Sequence, residues 1–201
     1  PVMYMHDGQN VFDDPIAANR GGWQVNLTMN KLIQEKKAEE IIIVAIYNNP
    51  NRGIEYAPPI SSEAFQKHTG TNIGWGDKYF SYIKNDIMPS VNSTFRTLTE
   101  PENTAIAGSS LGGLISLYCS YTHPDVFGKA GLMSPAFFDG FNEDKPGLDA
   151  FTIEDVWMDK KVPVVYYLDC GNNVTKIEEW VFLHATRHVL TEKKEAFLSM
   201  Y

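Results

Sequence analysis

The sequence predicts an α/β fold in three layers, a mostly parallel central sheet with helices on both faces. Three observations lead there. Short apolar runs alternate with stretches of helical periodicity, which is the pattern of successive βα units. The run Ile41–Tyr47 (IIIVAIY) is continuous and rich in β-branched residues, as in a strand buried on both faces. A glycine-rich segment, Gly108–Gly113, stands between a short apolar run and an apolar helical stretch, where a strand would turn into a helix.

The elements follow in order. Val2–His6 (VMYMH) reads as the first strand, and Trp23–Lys37 as a helix with Met29, Leu32 and Ile33 on one face. Ile41–Tyr47 is the second strand. Residues 48–76, rich in Asn, Pro and Gly, read as a long loop. A helix over Tyr79–Val91 keeps Phe80, Ile83, Ile87 and Val91 in register. Thr104–Gly108 is a short strand, and Leu111–Thr122 an apolar helix. Lys129–Met133 and Pro163–Asp169 are the last two of five strands, with residues 136–160 between them as an insertion or lid. Ile177–Leu198 reads as a closing helix. One domain is expected over residues 1–201, incomplete at both termini, because the chain opens inside a strand and stops at or near a helix.

Composition narrows the function classes. At 201 residues, with 43% hydrophobic and 21% charged residues, the chain can bury a substantial core. A net charge of −8 disfavours nucleic acid, whose binding rests on neutralising phosphates. No apolar run has the length of a membrane span. Two cysteines, Cys119 and Cys170, make neither a disulfide framework nor a zinc pair, which favours a reducing, cytoplasmic compartment. Export stays open, since the chain begins at Pro1 and a signal peptide would precede it.

The chemistry concentrates in GSSLGG, Gly108–Gly113, which contains G-x-S-x-G with Ser110 at its centre. A serine on a tight strand-to-helix turn presents its hydroxyl above the sheet edge, and the flanking glycines leave room for the turn. The Leu111 N–H, at the helix start, then faces a developing oxyanion. The pattern is weak alone and gains weight because AIA precedes it and LGGLISLYCSY follows. It is not a phosphate loop, since no Lys-Ser/Thr follows the glycines. The segment MHDGQNVFD, Met5–Asp13, follows the first strand, where α/β-hydrolases place the second oxyanion N–H; Gly8 or Gln9 would supply it. His6 in this segment is read as orienting the loop rather than as a base. Asp7, Asp13 and Asp14 are read as solvated or capping carboxylates rather than a cation site.

With these motifs placed, the chain resembles the Putative esterase family of α/β-hydrolases, which includes enterochelin esterases, feruloyl and acetyl-xylan esterases and S-formylglutathione hydrolases. Its likeness is strongest to the enterochelin-esterase-like branch. The matching stretches are PVMYMHDGQNVFD (1–13), NRGIEY (51–56), ENTAIAGSSLGGLISLY (102–118), HPDVFGKAGLMSPAFF (123–138) and VVYYLDCG (164–171). The resemblance implies an α/β-hydrolase sheet and a Ser–acid–His ester hydrolase. It also implies that Arg52, Glu55 and Tyr56 brace the loop beside the pocket, with a surface ion pair and a packing tyrosine as the alternative.

The chain departs from the family pattern at the acid. The order Ser, acid, His is expected, and the acid position three residues after Gly171 holds Val174. Asp169, Glu178 and Glu179 are the nearby carboxylates; any of them is a candidate, as is the absence of an acid. The base is expected after one more helix and strand, beyond Tyr201. His184 and His188 lie four apart on one helix face, as a metal pair would, but no H-E-x-x-H and no third ligand accompany them. His123 reads as a structural turn residue, and His68 lies in the polar loop.

The leading expectation is hydrolysis of a small-molecule carboxylic ester through an acyl-enzyme on Ser110, with no metal or organic cofactor. Trp75, Phe137 and Phe138 are candidates for the substrate pocket, or for lid packing. Transfer of the acyl group to an acceptor other than water is one alternative. A non-catalytic binding module on the same fold is the other, favoured by Val174 at the acid position.

Overall fold

The computed structural model describes residues 1–12, 15–17, 21–59, 66, 70–136, 162–170 and 197–200. Strand β1 is Val2–His6, and α1 is Val25–Gln34. Strand β2 is Ile42–Ile46, followed by the one-turn helix α2, Arg52–Glu55. Helices α3 (Gly76–Tyr82) and α4 (Met88–Thr94) are joined through a π-turn at Ile83–Ile87. Then come β3 (Thr104–Ser110), α5 (Leu111–Thr122), β4 (Lys129–Pro135), β5 (Val165–Cys170) and β6 (Phe197–Met200).

The described strands form one six-stranded sheet in the order β2-β1-β3-β4-β5-β6, and every pairing is parallel. The chain steps from β1 outward to β2, returns to the far side of β1 for β3, and continues away through β4, β5 and β6. The direction reverses between β1 and β3. In open parallel sheets, the crevice at the carboxyl ends of such a strand pair is where ligands bind. His6 ends β1 and Ser110 ends β3, so both residues stand at this switch point.

Side-chain alternation along β1 divides the core into two layers. Val2 and Tyr4 join Ile106, Leu114, Ile115, Leu117, Phe127 and Leu132 in a large cluster that Phe80 and Ile83 complete. Met5 enters a smaller cluster with Val11 and Ala107, against which Met3, Trp23 and Val25 pack. Helices therefore cover both faces, as the alternating pattern predicts. The expected inner face of α1 also holds, since Met29, Leu32 and Ile33 are half-buried while Asn30, Lys31 and Gln34 are exposed.

Three expectations need correction. The sheet has a sixth strand, β6, whose residues Phe197 and Leu198 fall within the expected closing helix. A four-residue apolar run is too short to reveal its own period, and the apolar spacing before it merges with it. The rest of that helix, like most of the 136–160 insertion, lies outside the described residues. Second, β2 has a strand partner on one side only among the described residues, and there Ile42–Ala45 are half-buried rather than buried. Third, the helix expected over Tyr79–Val91 begins at Gly76 and contains the π-turn. Pro89 has no N–H to give the Asn85 carbonyl, and the wider turn lets the helix pass it.

Candidate active site

Strand β3 ends at Ser110 and α5 begins at Leu111, so the whole change of direction falls on one residue. Ser110 takes φ 58°, ψ −123°, a region in which a side chain costs about 1–3 kcal/mol. The neighbouring glycines show why the turn can be this tight. A Cβ on Gly108 would stand 2.7 Å from the Gly112 carbonyl carbon, and one on Gly113 would stand 2.8 Å from Pro135 Cβ. Ser110 is exposed, while Leu111 is half-buried against the core. The N–H groups of the first turn of α5, that of Leu111 included, have no partner within the helix.

The loop after β1 folds against this turn. Asp7 adopts a left-handed backbone (φ 55°, ψ 51°) and opens a 3-10 turn over Gly8–Asn10. The bonds of that turn come from Asn10 N–H to the Asp7 carbonyl (2.8 Å) and from Val11 N–H to the Gly8 carbonyl (3.2 Å). The N–H groups of Gly8 and Gln9 are therefore not spent on it. Gly8 is required, because a Cβ there would stand 2.7 Å from the backbone carbons of Ala45 and Ile46. Gln9 is held from β2, its Oε1 accepting the Asn48 N–H at 3.4 Å. The loop touches α5 at Gly112, where a Cβ would stand 3.4 Å from His6 Cβ and 3.5 Å from Asp7 Oδ2.

A polar network fixes the loop. Arg52 donates through Nε to Asp7 Oδ1 (2.7 Å) and through Nη2 to Oδ2 (2.8 Å), while Asn48 Nδ2 donates to Oδ1 (2.5 Å). Burial alone would raise the Asp7 carboxyl. The hydrogen bonds from Arg52 and Asn48 outweigh it and hold the group below the usual carboxylate range. Tyr56, fully buried, accepts the Asp7 N–H at 3.2 Å and carries the Arg52 guanidinium over its ring at 5.1 Å. Glu55 accepts from Asn49 Nδ2 at 2.9 Å and so ties α2 to the end of β2. Arg52 and Tyr56 thus brace the loop, while Glu55 reaches only Asn49; Asp7, expected as a solvated or capping carboxylate, is instead buried and paired with Arg52, its side chain only 6% exposed.

Among the described residues, neither histidine stands as a free base. His6 is fully buried, its Nδ1 lies 2.9 Å from Tyr79 Oη, and burial pulls its pKa from 6.5 to about 3. His123 caps the opposite end of α5, about 18 Å from Ser110 along a twelve-residue helix, with its ring stacked on Phe80. Asp169 lies at the carboxyl end of β5, opposite Met133 of β4, and its Oδ1 accepts the Ser134 N–H at 2.9 Å. Trp75 precedes α3; its N–H bonds the Ile54 carbonyl at 2.7 Å and its ring faces Lys78 Nζ at 4.5 Å. Phe137, Phe138, Asp13, Asp14, His68, Val174, Glu178, Glu179, His184 and His188 lie outside the described residues. Among the described residues, no cluster of three His, Cys, Asp or Glu side chains could hold a metal ion, and no helix is long and apolar enough to cross a membrane.

Two members of the network were not anticipated, Asn48 and Tyr79. Asn48 had a signal: β1 and β2 end in register at His6 and Ile46, so the residues just after them meet. Tyr79 had none, because it reads only as one apolar position of a helix.

The chain is 28% identical over 138 residues to the Bacillus subtilis protein YbbA, a match covering 69% of this chain and 50% of that protein. It is 25% identical over 136 residues to an endo-1,4-beta-xylanase/feruloyl esterase of Xylanibacter ruminicola, covering 67% of this chain and 16% of the other. The chain therefore spans half or less of the length of these relatives. Among solved structures, the enterobactin esterase FES of Shigella flexneri superposes with a TM-score of 0.71 at 13% identity, covering 100% of this chain and 46% of that one. The fold is that of the α/β-hydrolases. The sequence model of the Putative esterase family matches residues 1–159, and with Ser110 and the Gly8 loop both inside that match, the chain belongs to this family.

Proposed function

We propose that the protein hydrolyses a carboxylic ester through an acyl-enzyme on Ser110. The observation that carries this reading is the strained, exposed Ser110 at the β1/β3 switch point, beside a loop with two N–H groups free of its own turn. Strain at a single exposed polar residue, kept in place by glycines on both sides, is explained by what its hydroxyl does there. Ser110 Oγ attacks the ester carbonyl. The oxyanion that forms is met by the N–H of Leu111 and by Gly8 or Gln9. A histidine takes the serine proton and returns it to the leaving alcohol, and water then releases the acid.

The family order Ser, acid, His assigns the base beyond Tyr201; of the described histidines, His6 is committed to Tyr79 and His123 sits at the far end of α5. The acid comes from the end of β5 or just after it. Asp169 is the described candidate, with one oxygen already on the Ser134 N–H. Trp75, Phe137 and Phe138 are assigned to the acyl pocket, which suits an aromatic acyl group; the names of the feruloyl and enterobactin esterases point the same way.

The test is labelling of the full reading frame by a fluorophosphonate probe, read by intact mass, with Ser110→Ala as control. Labelling of the wild type alone is expected. Equal labelling of both proteins, or none of either in a folded sample, refutes the reading. His184→Ala and His188→Ala are expected to leave labelling intact.

A further inference from the structure

The mechanism leaves one buried polar group unused. His6 has no exposed surface, and its Nε2 has no hydrogen-bond partner among the described residues. Its ring lies within a cluster with Tyr56 (centroids 5.2 Å apart) and Tyr79 (5.5 Å), and the two tyrosine rings are 5.1 Å from each other. A hydroxyl chain runs through this cluster. His6 Nδ1 meets Tyr79 Oη at 2.9 Å, the Tyr79 and Tyr56 hydroxyls adjoin, and Tyr56 Oη accepts the Asp7 N–H at 3.2 Å. A proton on Nε2 would be buried with nothing described to receive it, whereas Nδ1–H can donate to Tyr79 Oη, which puts the imidazole proton on Nδ1.

We propose that Tyr79 is a positioning residue for the oxyanion loop: its hydroxyl, held between His6 and Tyr56, locks the His6 tautomer and fixes the Asp7–Gly8–Gln9 backbone against the first turn of α5. This inference rests on the Ser110 reading above. Three features support it. Asp7 sits in a left-handed conformation that its neighbours must impose. Both ends of the hydroxyl chain are anchored on the two residues, His6 and Asp7, that face Gly112, where an added Cβ would stand 3.4 and 3.5 Å from them. The element carrying Tyr79 is itself docked on the bracing segment, through Trp75 N–H to the Ile54 carbonyl and Gly76 N–H to the Ala57 carbonyl (2.8 Å). A mere packing tyrosine would need none of these hydroxyl contacts.

The test uses Tyr79→Phe in the full-length protein, which keeps the ring and removes the hydroxyl. Long-range ¹H–¹⁵N spectra report the His6 tautomer, with His6→Gln identifying its signals. In the wild type, Nδ1 carries the proton; in Tyr79→Phe the tautomers are expected to mix. For the ester reaction, kcat is expected to fall about 10-fold, a fraction of what losing a whole oxyanion donor costs, with KM changed less than about 2-fold. An unchanged kcat, or a loss confined to KM or to thermal stability, overturns the proposal. Tyr56→Phe, which removes the other hydroxyl of the chain, should lower kcat in the same sense and serves if Tyr79→Phe does not fold. If wild type and Ser110→Ala are equally inactive, the esterase reading has failed. The tautomer spectra then decide the lock alone, an unchanged His6 pattern in Tyr79→Phe overturning it.

Discussion

The Asp7 carboxylate and the Arg52 guanidinium meet as a two-pronged pair, Nε on Oδ1 at 2.7 Å and Nη2 on Oδ2 at 2.8 Å. The pair joins the loop after β1 to α2. A planar fork can hold a carboxylate in one orientation, and a lysine ammonium cannot. Arg52→Lys keeps the charge and loses the second bond. It should cost about 1.5–3 kcal/mol in urea unfolding, the scale of a hydrogen bond to a charged group. It should also slow fluorophosphonate labelling of Ser110 several-fold. A variant that labels at the wild-type rate would show that the loop does not need the fork.

Ser110 invites a test that separates chemistry from stability. At φ 58°, ψ −123°, a side chain is strained and glycine is not. Ser110→Gly should therefore raise unfolding stability by about 1 kcal/mol or more while abolishing labelling. Ser110→Ala removes the same hydroxyl and keeps the Cβ, so it should abolish labelling without that gain. Equal stabilities for the two variants would argue that the turn stores no strain.

The glycines around Ser110 are not equivalent to glycines elsewhere. Gly108→Ala would press a methyl into the Gly112 backbone at 2.7–2.9 Å. Overpacking against backbone, which cannot rotate away, should cost about 1–3 kcal/mol and displace Leu111. At Gly53, in α2, a Cβ meets nothing within 4 Å. Gly53→Ala is the matched control, expected to fall within about 0.5 kcal/mol of the wild type. Similar melting temperatures for the two variants would count against the tight-turn argument.

The parts of this molecule that were legible in the sequence are those with a local signature. The Ser110 turn was readable because a strand-to-helix reversal on one residue demands glycines at fixed offsets. The five strands first expected were readable from apolar runs. The support of the Gly8 loop was not readable from periodicity, because it is assembled from distant segments: Asn48 after β2, Arg52 and Tyr56 around α2, and Tyr79 in α3. Arg52, Glu55 and Tyr56 came from family resemblance. Nothing local distinguishes Tyr79 from a core tyrosine, since its hydroxyl partner lies 73 residues away.

His6 gives a pH signature. Burial lowers its pKa from 6.5 to about 3; the Asp7 charge opposes that shift and Arg52 adds to it. As pH falls below about 6.5, the unfolded chain takes up a proton that the folded protein refuses. Stability should therefore fall on acidification, by at most about 1.4 kcal/mol per pH unit, and His6 should add no pH dependence above about 7. Tyr56 and Tyr79, the other groups against the ring, have raised pKa values and stay neutral throughout this window. Asp7 acts in the same direction but lower. Its pKa is depressed, so its contribution is complete above the ordinary carboxylate range and is lost only as pH falls through its folded value. Urea midpoints at pH 7, 6 and 5 carry this decline together with that of His123, whose pKa burial also lowers, so a His6 variant is needed to isolate it. His6→Gln should be less stable overall yet should show a shallower decline over that range, since every other titrating group is shared. Parallel curves for the two proteins would mean that the folded protein protonates His6 as readily as the unfolded chain does, and the buried neutral imidazole at the root of the loop would have to be abandoned.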